Sequence, residues 1–124
     1  MSGVLANWSI VGTGTLESQS GNEACFDFPV DIDDVQGGDI TSFTLSVMWP
    51  MPPDSEGSAS GSSGRVPASL HNGQSHTATV SVCLSPVADV TLAGSSQMVA
   101  SLTYHGRLAD GVTSQSAGSE DFTQ

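Results

Sequence analysis

The chain of 124 residues offers four kinds of chemistry-bearing group: a run of aspartates, three histidines, two cysteines and an abundance of serine. The aspartates are Asp31, Asp33, Asp34 and Asp39. Carboxylates gathered around a loop are oxygen ligands of the kind Ca²⁺ takes, but their spacing fits no EF-hand loop. The competing reading is a solvated acidic turn that discourages strand pairing at an edge. That reading is preferred, and no metal or other cofactor is expected.

The histidines are His71, His76 and His105. A zinc site would want two or three of them on one surface. An odd loop between flanking strands puts His71 and His76 on opposite faces, which breaks the nearest pair. Serine abounds, but no G-x-S-x-G unit is present and no strand-turn-helix could present a nucleophile. The carboxylates fall in turns and loops rather than in a cleft where one pKa could be raised. The chain is therefore expected not to be an enzyme.

Cys25 and Cys83 both alternate with apolar residues, so both thiols should point away from the core. Residues Met1 to Ile10 carry neither a basic start nor a long apolar stretch, so no signal peptide is expected. Synthesis in a reducing cytoplasm would then keep the thiols free. A bridge is open only if the two strands are neighbours in one sheet. The aromatics Trp8, Trp49 and Tyr104 raise the question of a sugar-binding platform. Trp49 and Tyr104 share parity with core residues, which favours packing inside.

The elements that must position these groups are strands. Ala24, Phe26, Phe28, Val30 and Ile32 alternate with Cys25, Asp27, Pro29 and Asp31, and Phe43, Leu45, Val47 and Trp49 repeat the pattern. A two-residue turn at Gly37-Gly38 would join the two as a hairpin, with Phe26 opposite Trp49. A second hairpin is expected between Val66–Leu70 and His76–Leu84, with Val66 facing Val80 and Ala68 facing Ala78. A third joins Asp89–Leu92 to Gln97–Arg107. Asn7 to Glu17 is a weaker strand. Helix periodicity is absent. The expected fold is all-β, an antiparallel β-sandwich of about seven strands, immunoglobulin-like in outline, with a small β-barrel as the alternative. Residues 1–6 form an N-terminal arm, 7–112 the single domain with a flexible loop at 54–64, and 113–124 a polar C-terminal arm.

Charge narrows the partners. Thirteen Asp and Glu face two Lys and Arg, for a formal charge of -11. Nucleic acid and anionic lipid both need cations that the chain lacks. No run approaches the roughly 20 apolar residues of a membrane helix. The segment Met48-Trp49-Pro50-Met51-Pro52-Pro53 is apolar and preset in an extended form, so Met48, Trp49, Met51, Pro52 and Pro53 are the candidate partner-binding residues.

These features point to a non-enzymatic structural or assembly protein. The closest analogy at the level of fold is a virion component such as a phage capsid decoration (cement) protein, bound to a capsid or other virion protein. Its expected place is the virion surface, after assembly in the host cytoplasm, with self-association possible. A carbohydrate- or ligand-binding β-sandwich module is the alternative.

Overall fold

The computed structural model describes residues 5–36, 38–50, 58–71, 73–86, 97–108 and 114–123. Among the described residues, eight strands run in the order β1 (Leu5–Ile10), β2 (Thr15–Ser20), β3 (Glu23–Gln36), β4 (Gly38–Pro50), β5 (Ser58–Leu70), β6 (His76–Leu84), β7 (Gln97–Leu108) and β8 (Ser114–Thr123). All pairings are antiparallel. In the first sheet, β1 and β2 pair with successive halves of β3, and β6 also pairs with β3. The second sheet has the order β5-β4-β7-β8. Counting β1 and β2 as one split strand gives a seven-stranded sandwich, not closed into a barrel. Its order corresponds to sheets ABE and C′CFG of an immunoglobulin-like plan.

The sandwich forms because alternate residues of long strands are apolar, and each sheet must cover that face against the other. Phe26, Phe28, Val30 and Ile32 of β3 meet Phe43, Leu45, Val47 and Trp49 of β4 within one core, each at most 2% exposed. Val80, Val82 and Leu84 of β6 and Met98, Ala100, Leu102 and Tyr104 of β7 complete it. Phe28 and Phe122 pack edge to face with centroids 5.6 Å apart, so β8 also contributes a core residue.

Strand pairing departs from the expected hairpins. β3 and β4 lie in different sheets, so Phe26 is paired with Leu16 and Val82 and not with Trp49. β3 ends at Gln36 in the first sheet and β4 begins at Gly38 in the second, so the two strands are not a hairpin. Two strands that both point apolar residues inward match equally well as neighbours or as partners across the core, and alternation does not distinguish them. The second expected hairpin fails for the same reason. β5 pairs with β4, and β6 pairs with β3. The third hairpin's first arm, Asp89–Leu92, lies outside the described residues.

Two segments expected to be loose are strands. Ser58–Gly64, read as part of a flexible loop, belongs to β5, where Ala59 is fully buried. Ser114–Thr123, read as an arm, is the edge strand β8. Both pair through backbone amides and carbonyls, which serine and glycine supply as well as any residue. At the N-terminus β1 already begins at Leu5.

Local devices hold the sheets together. At the β4–β5 bulge the Leu45 amide donates to Ser63 Oγ at 3.0 Å, and that hydroxyl donates to the Gly64 carbonyl. At the β4–β7 bulge, Gly106 takes a φ of +145°, and a Cβ there would sit 2.6 Å from the Asp39 carbonyl oxygen. The two sheets touch at one edge, where Ser60 and Ser85 exchange backbone hydrogen bonds of 3.2 Å. A Cβ at Gly61 would collide with the Cys83 carbonyl.

Candidate functional site

With apolar residues turned inward, the alternate residues of each sheet make two outer faces of unlike chemistry. The first sheet carries Glu17, Glu23, Asp27, Asp31, Asp33 and Asp34 on its strands, and neither arginine. Two of these carboxylates are held by hydroxyls of β6. Thr77 Oγ1 donates to Asp31 Oδ1 at 3.0 Å, and Ser81 Oγ donates to Glu17 Oε2 at 3.0 Å. Glu17 occupies the β2 bulge between Leu16 and Ser18 and reaches Ser81 across β3.

Among the described side chains, Asp31, Asp33 and Asp39 do not form a group close enough to share an ion. Asp31 and Asp33 belong to β3, whereas Asp39 belongs to β4 in the other sheet, where it lies 2.8 Å from His71 Nδ1. Asp34 is on β3 with its side chain outside the described set. Among the described residues, the group of His, Cys, Asp and Glu side chains close enough to share an ion is Glu23, Cys25 and Cys83.

The two cysteines form a disulfide, which corrects the expectation of free thiols. Parity had the face right, since Cys25 is half-buried and Cys83 exposed on the outer side. The pairing of β3 with β6 supplies the rest, because Cys25 stands directly opposite Cys83 with Cα atoms 3.9 Å apart. The bridge staples neighbours within one sheet, unlike the bridge between sheets of antibody domains.

The second sheet carries Asp39, Glu120 and Asp121 on its strands against Arg65 and Arg107, so its charges nearly balance. A groove of ≈ 530 Å³ runs across β5, β4 and β7, lined by Ser46, Met48, Ser60, Ser62, Val99 and Ser101. Register explains the grouping: Ser60, Met48 and Val99 are successive partners in one row across the strands, and Ser62, Ser46 and Ser101 in the next. Met48 is 43% exposed, so the groove has an apolar row beside a hydroxyl row.

The partner-binding candidates divide. Met48 lines the groove. Trp49 is 1% exposed and packs in the core, so it is withdrawn as a partner contact. Alternation along β4 requires this, because adjacent strand residues point to opposite faces. Met51, Pro52 and Pro53 lie outside the described residues. Ser46, Ser60, Ser62, Val99 and Ser101 were not singled out from sequence. Serine is too frequent in the chain to mark a site, and the register that gathers these residues is not visible in composition.

The histidines are dispersed. His76 packs edge-on against Phe43 with centroids 6.4 Å apart. His105 Nε2 lies 2.8 Å from Thr44 Oγ1, while its Nδ1 is buried without a hydrogen-bond partner. Burial lowers the His105 pKa below its usual value near 6.5, and the positive charge of Arg65 adds to the shift. No carboxylate orients this ring among the described residues, so the pair lacks the third member of a hydrolytic triad. Tyr104 Oη is buried and unpartnered, and burial pushes its pKa up to about 12.

The chain matches no protein-family model, no curated protein and no solved structure.

Proposed function

We propose that the protein is a non-enzymatic assembly module, a decoration (cement) protein that docks on a virus capsid or another virion protein. The observation that carries this reading is the segregation of charge between the outer faces of the sandwich. A subunit of charge -11 repels copies of itself at low salt, over a Debye length of about 10 Å at 0.1 M. It can approach a protein surface most cheaply through a face whose charges nearly balance. The groove face of β5, β4 and β7 meets that requirement, with Met48 and Val99 as apolar contacts and serine hydroxyls as hydrogen-bonding groups. The acidic face then looks outward, and self-association is confined to small or salt-aided lateral contacts.

The disulfide is compatible with this placement. Disulfides persist in oxidising surroundings, virion exteriors among them, so a chain assembled in a host cytoplasm would close its bridge after release. Burial of Trp49 and Tyr104, each 1% exposed, removes two of the flat aromatics that a sugar-binding platform would use and favours assembly over carbohydrate binding.

The test is density-gradient sedimentation of extracts from cells producing the protein, followed by electron microscopy of the fractions. Co-migration with a particle in regular stoichiometry is the expected result. Migration solely as a free chain of 12.6 kDa, with affinity for glycans, would replace the proposal with the binding-module reading.

A further inference from the structure

We propose that Glu23, Cys25 and Cys83 form a site for a thiophilic divalent cation of the zinc class, present only when the disulfide is reduced. The inference is independent of the assembly role. Three observations carry it. The candidate ligand atoms, one carboxylate oxygen and two sulfurs, all lie within 4.8 Å of one another. Glu23 and Cys25 are two apart on β3 and share its outer face, because Ala24 between them is fully buried. Cys83 is the direct cross-strand partner of Cys25. No loop has to fold to bring the three together.

Zinc takes thiolate sulfur at about 2.3 Å and carboxylate oxygen at about 2.0–2.2 Å in a tetrahedron, which sets the sulfurs roughly 3.8 Å apart. Rotation about the two Cα–Cβ bonds opens the sulfurs to that separation while the strands stay paired. The donor set, two thiolates and a carboxylate, selects zinc or cadmium over calcium and magnesium, which prefer oxygen alone. Glu17 and Asp27 on the same sheet, with no arginine on any of its strands, raise the local cation concentration.

The chemistry balances in two steps. A thiol reductant gives two electrons and two protons to the disulfide. The sulfur–sulfur bond breaks, two protein S–H groups form, and the reductant leaves as its own disulfide. The metal ion then displaces the two thiol protons to solvent and bonds two thiolates and the Glu23 carboxylate. Water occupies the fourth position. A small-molecule disulfide reverses the sequence: it accepts two electrons from the two thiolates, takes up two protons and leaves as two thiols, while the bridge re-forms and the metal ion is released. The face thus holds a disulfide in oxidising surroundings and a metal in reducing ones.

The experiment uses the full chain, reduced with dithiothreitol and desalted under nitrogen, then titrated with Co²⁺ and competed with Zn²⁺. The expected result is a sulfur-to-cobalt charge-transfer band saturating at one equivalent in the reduced protein and no band in the oxidised protein. Glu23→Gln is expected to weaken Zn²⁺ binding at least about tenfold, the lower range for lost support at a metal site. Circular dichroism of the reduced chain should retain the β signature. Glu23 is exposed at the start of β3, so its variant keeps the fold and the disulfide. Absence of the band in folded, reduced protein would overturn the proposal. So would unfolding on reduction, or unchanged affinity in Glu23→Gln.

Discussion

The two outer faces of the sandwich are built on the same core by the same alternation, yet they differ in almost every chemical respect. The face of β3 and β6 is acidic and carries the disulfide, with hydroxyls of Thr77 and Ser81 donating to carboxylates. The face of β4, β5 and β7 holds a groove of methionine, valine and serine. Core packing cannot explain the difference, since inward residues on both sides are apolar and fully covered. What separates the faces is what each can approach. The acidic one attracts cations and repels like subunits, while the groove of the other is lined by no charged side chain.

The largest expected effect tests whether the faces are correctly divided along β4. Trp49→Ala should cost about 3–5 kcal/mol in urea unfolding, as expected for an emptied core site. Met48→Ala, one residue away, should change stability by less than about 0.5 kcal/mol. Comparable losses from both would mean that the two sides of β4 are wrongly assigned.

Next comes the staple on the acidic side. Cys25 and Cys83 are 58 residues apart in sequence, and the double variant Cys25→Ala/Cys83→Ala should lose about 2–4 kcal/mol under oxidising conditions. Chemical unfolding of both proteins without reductant measures it. An unchanged midpoint would deny the bridge a part in stability.

On the neutral side, Gly106→Ala should cost about 1–3 kcal/mol, because its positive φ and the nearby Asp39 carbonyl both oppose a side chain. Thermal melting of the variant would show no loss if the bulge were otherwise arranged. The smallest effects are electrostatic. Asp27→Asn should shift stability by less than about 0.5 kcal/mol, upward at low salt and fading as salt is added, because it relieves like-charge repulsion on the acidic sheet.

His105 gives the neutral side a pH response of definite sign. Its folded pKa lies below the unfolded value near 6.5, so the unfolded chain binds more protons in that range. Stability should therefore rise as pH increases through the window below and around 6.5, and fall as pH drops. Melting curves of the wild type and His105→Gln across that window isolate the contribution. A slope that is the same in both would remove His105 as its source.

Much of this architecture was legible in the alternation of the chain, but alternation carries only part of the information. It named the inward residues of β3 and β4, from Phe26 to Ile32 and from Phe43 to Trp49, all of which are buried. It leaves open which sheet each strand joins, so it matches Phe26 to Trp49 as hairpin partners although they belong to opposite sheets. Ser58–Gly64 and Ser114–Thr123 were hidden by composition. Edge strands pair through backbone groups and need few apolar side chains, and Ala59 and Phe122 were the only inward markers given by the described residues. The disulfide needed strand neighbours, not parity. The groove needed the register of three strands at once, and serine gave no signal because it is common throughout.

Because β8 is a strand, removing 113–124 would strip an edge of the second sheet and take Phe122 from its contact with Phe28. Point changes on the two faces are the cleaner comparison.

The most direct measurement places the same charge on each face and asks which one matters for association. Met48→Glu enters the groove, and Thr79→Glu enters the acidic face at an exposed position on β6. Both proteins are run beside the wild type in the gradient with the particle that carries the wild-type chain. The docking account expects Met48→Glu to weaken association about tenfold or more, the equivalent of about 1.4 kcal/mol from a carboxylate buried without a partner. It expects Thr79→Glu to remain within about twofold of the wild type. Full association of Met48→Glu, or a greater loss in Thr79→Glu, would contradict the assignment of the neutral face as the docking side.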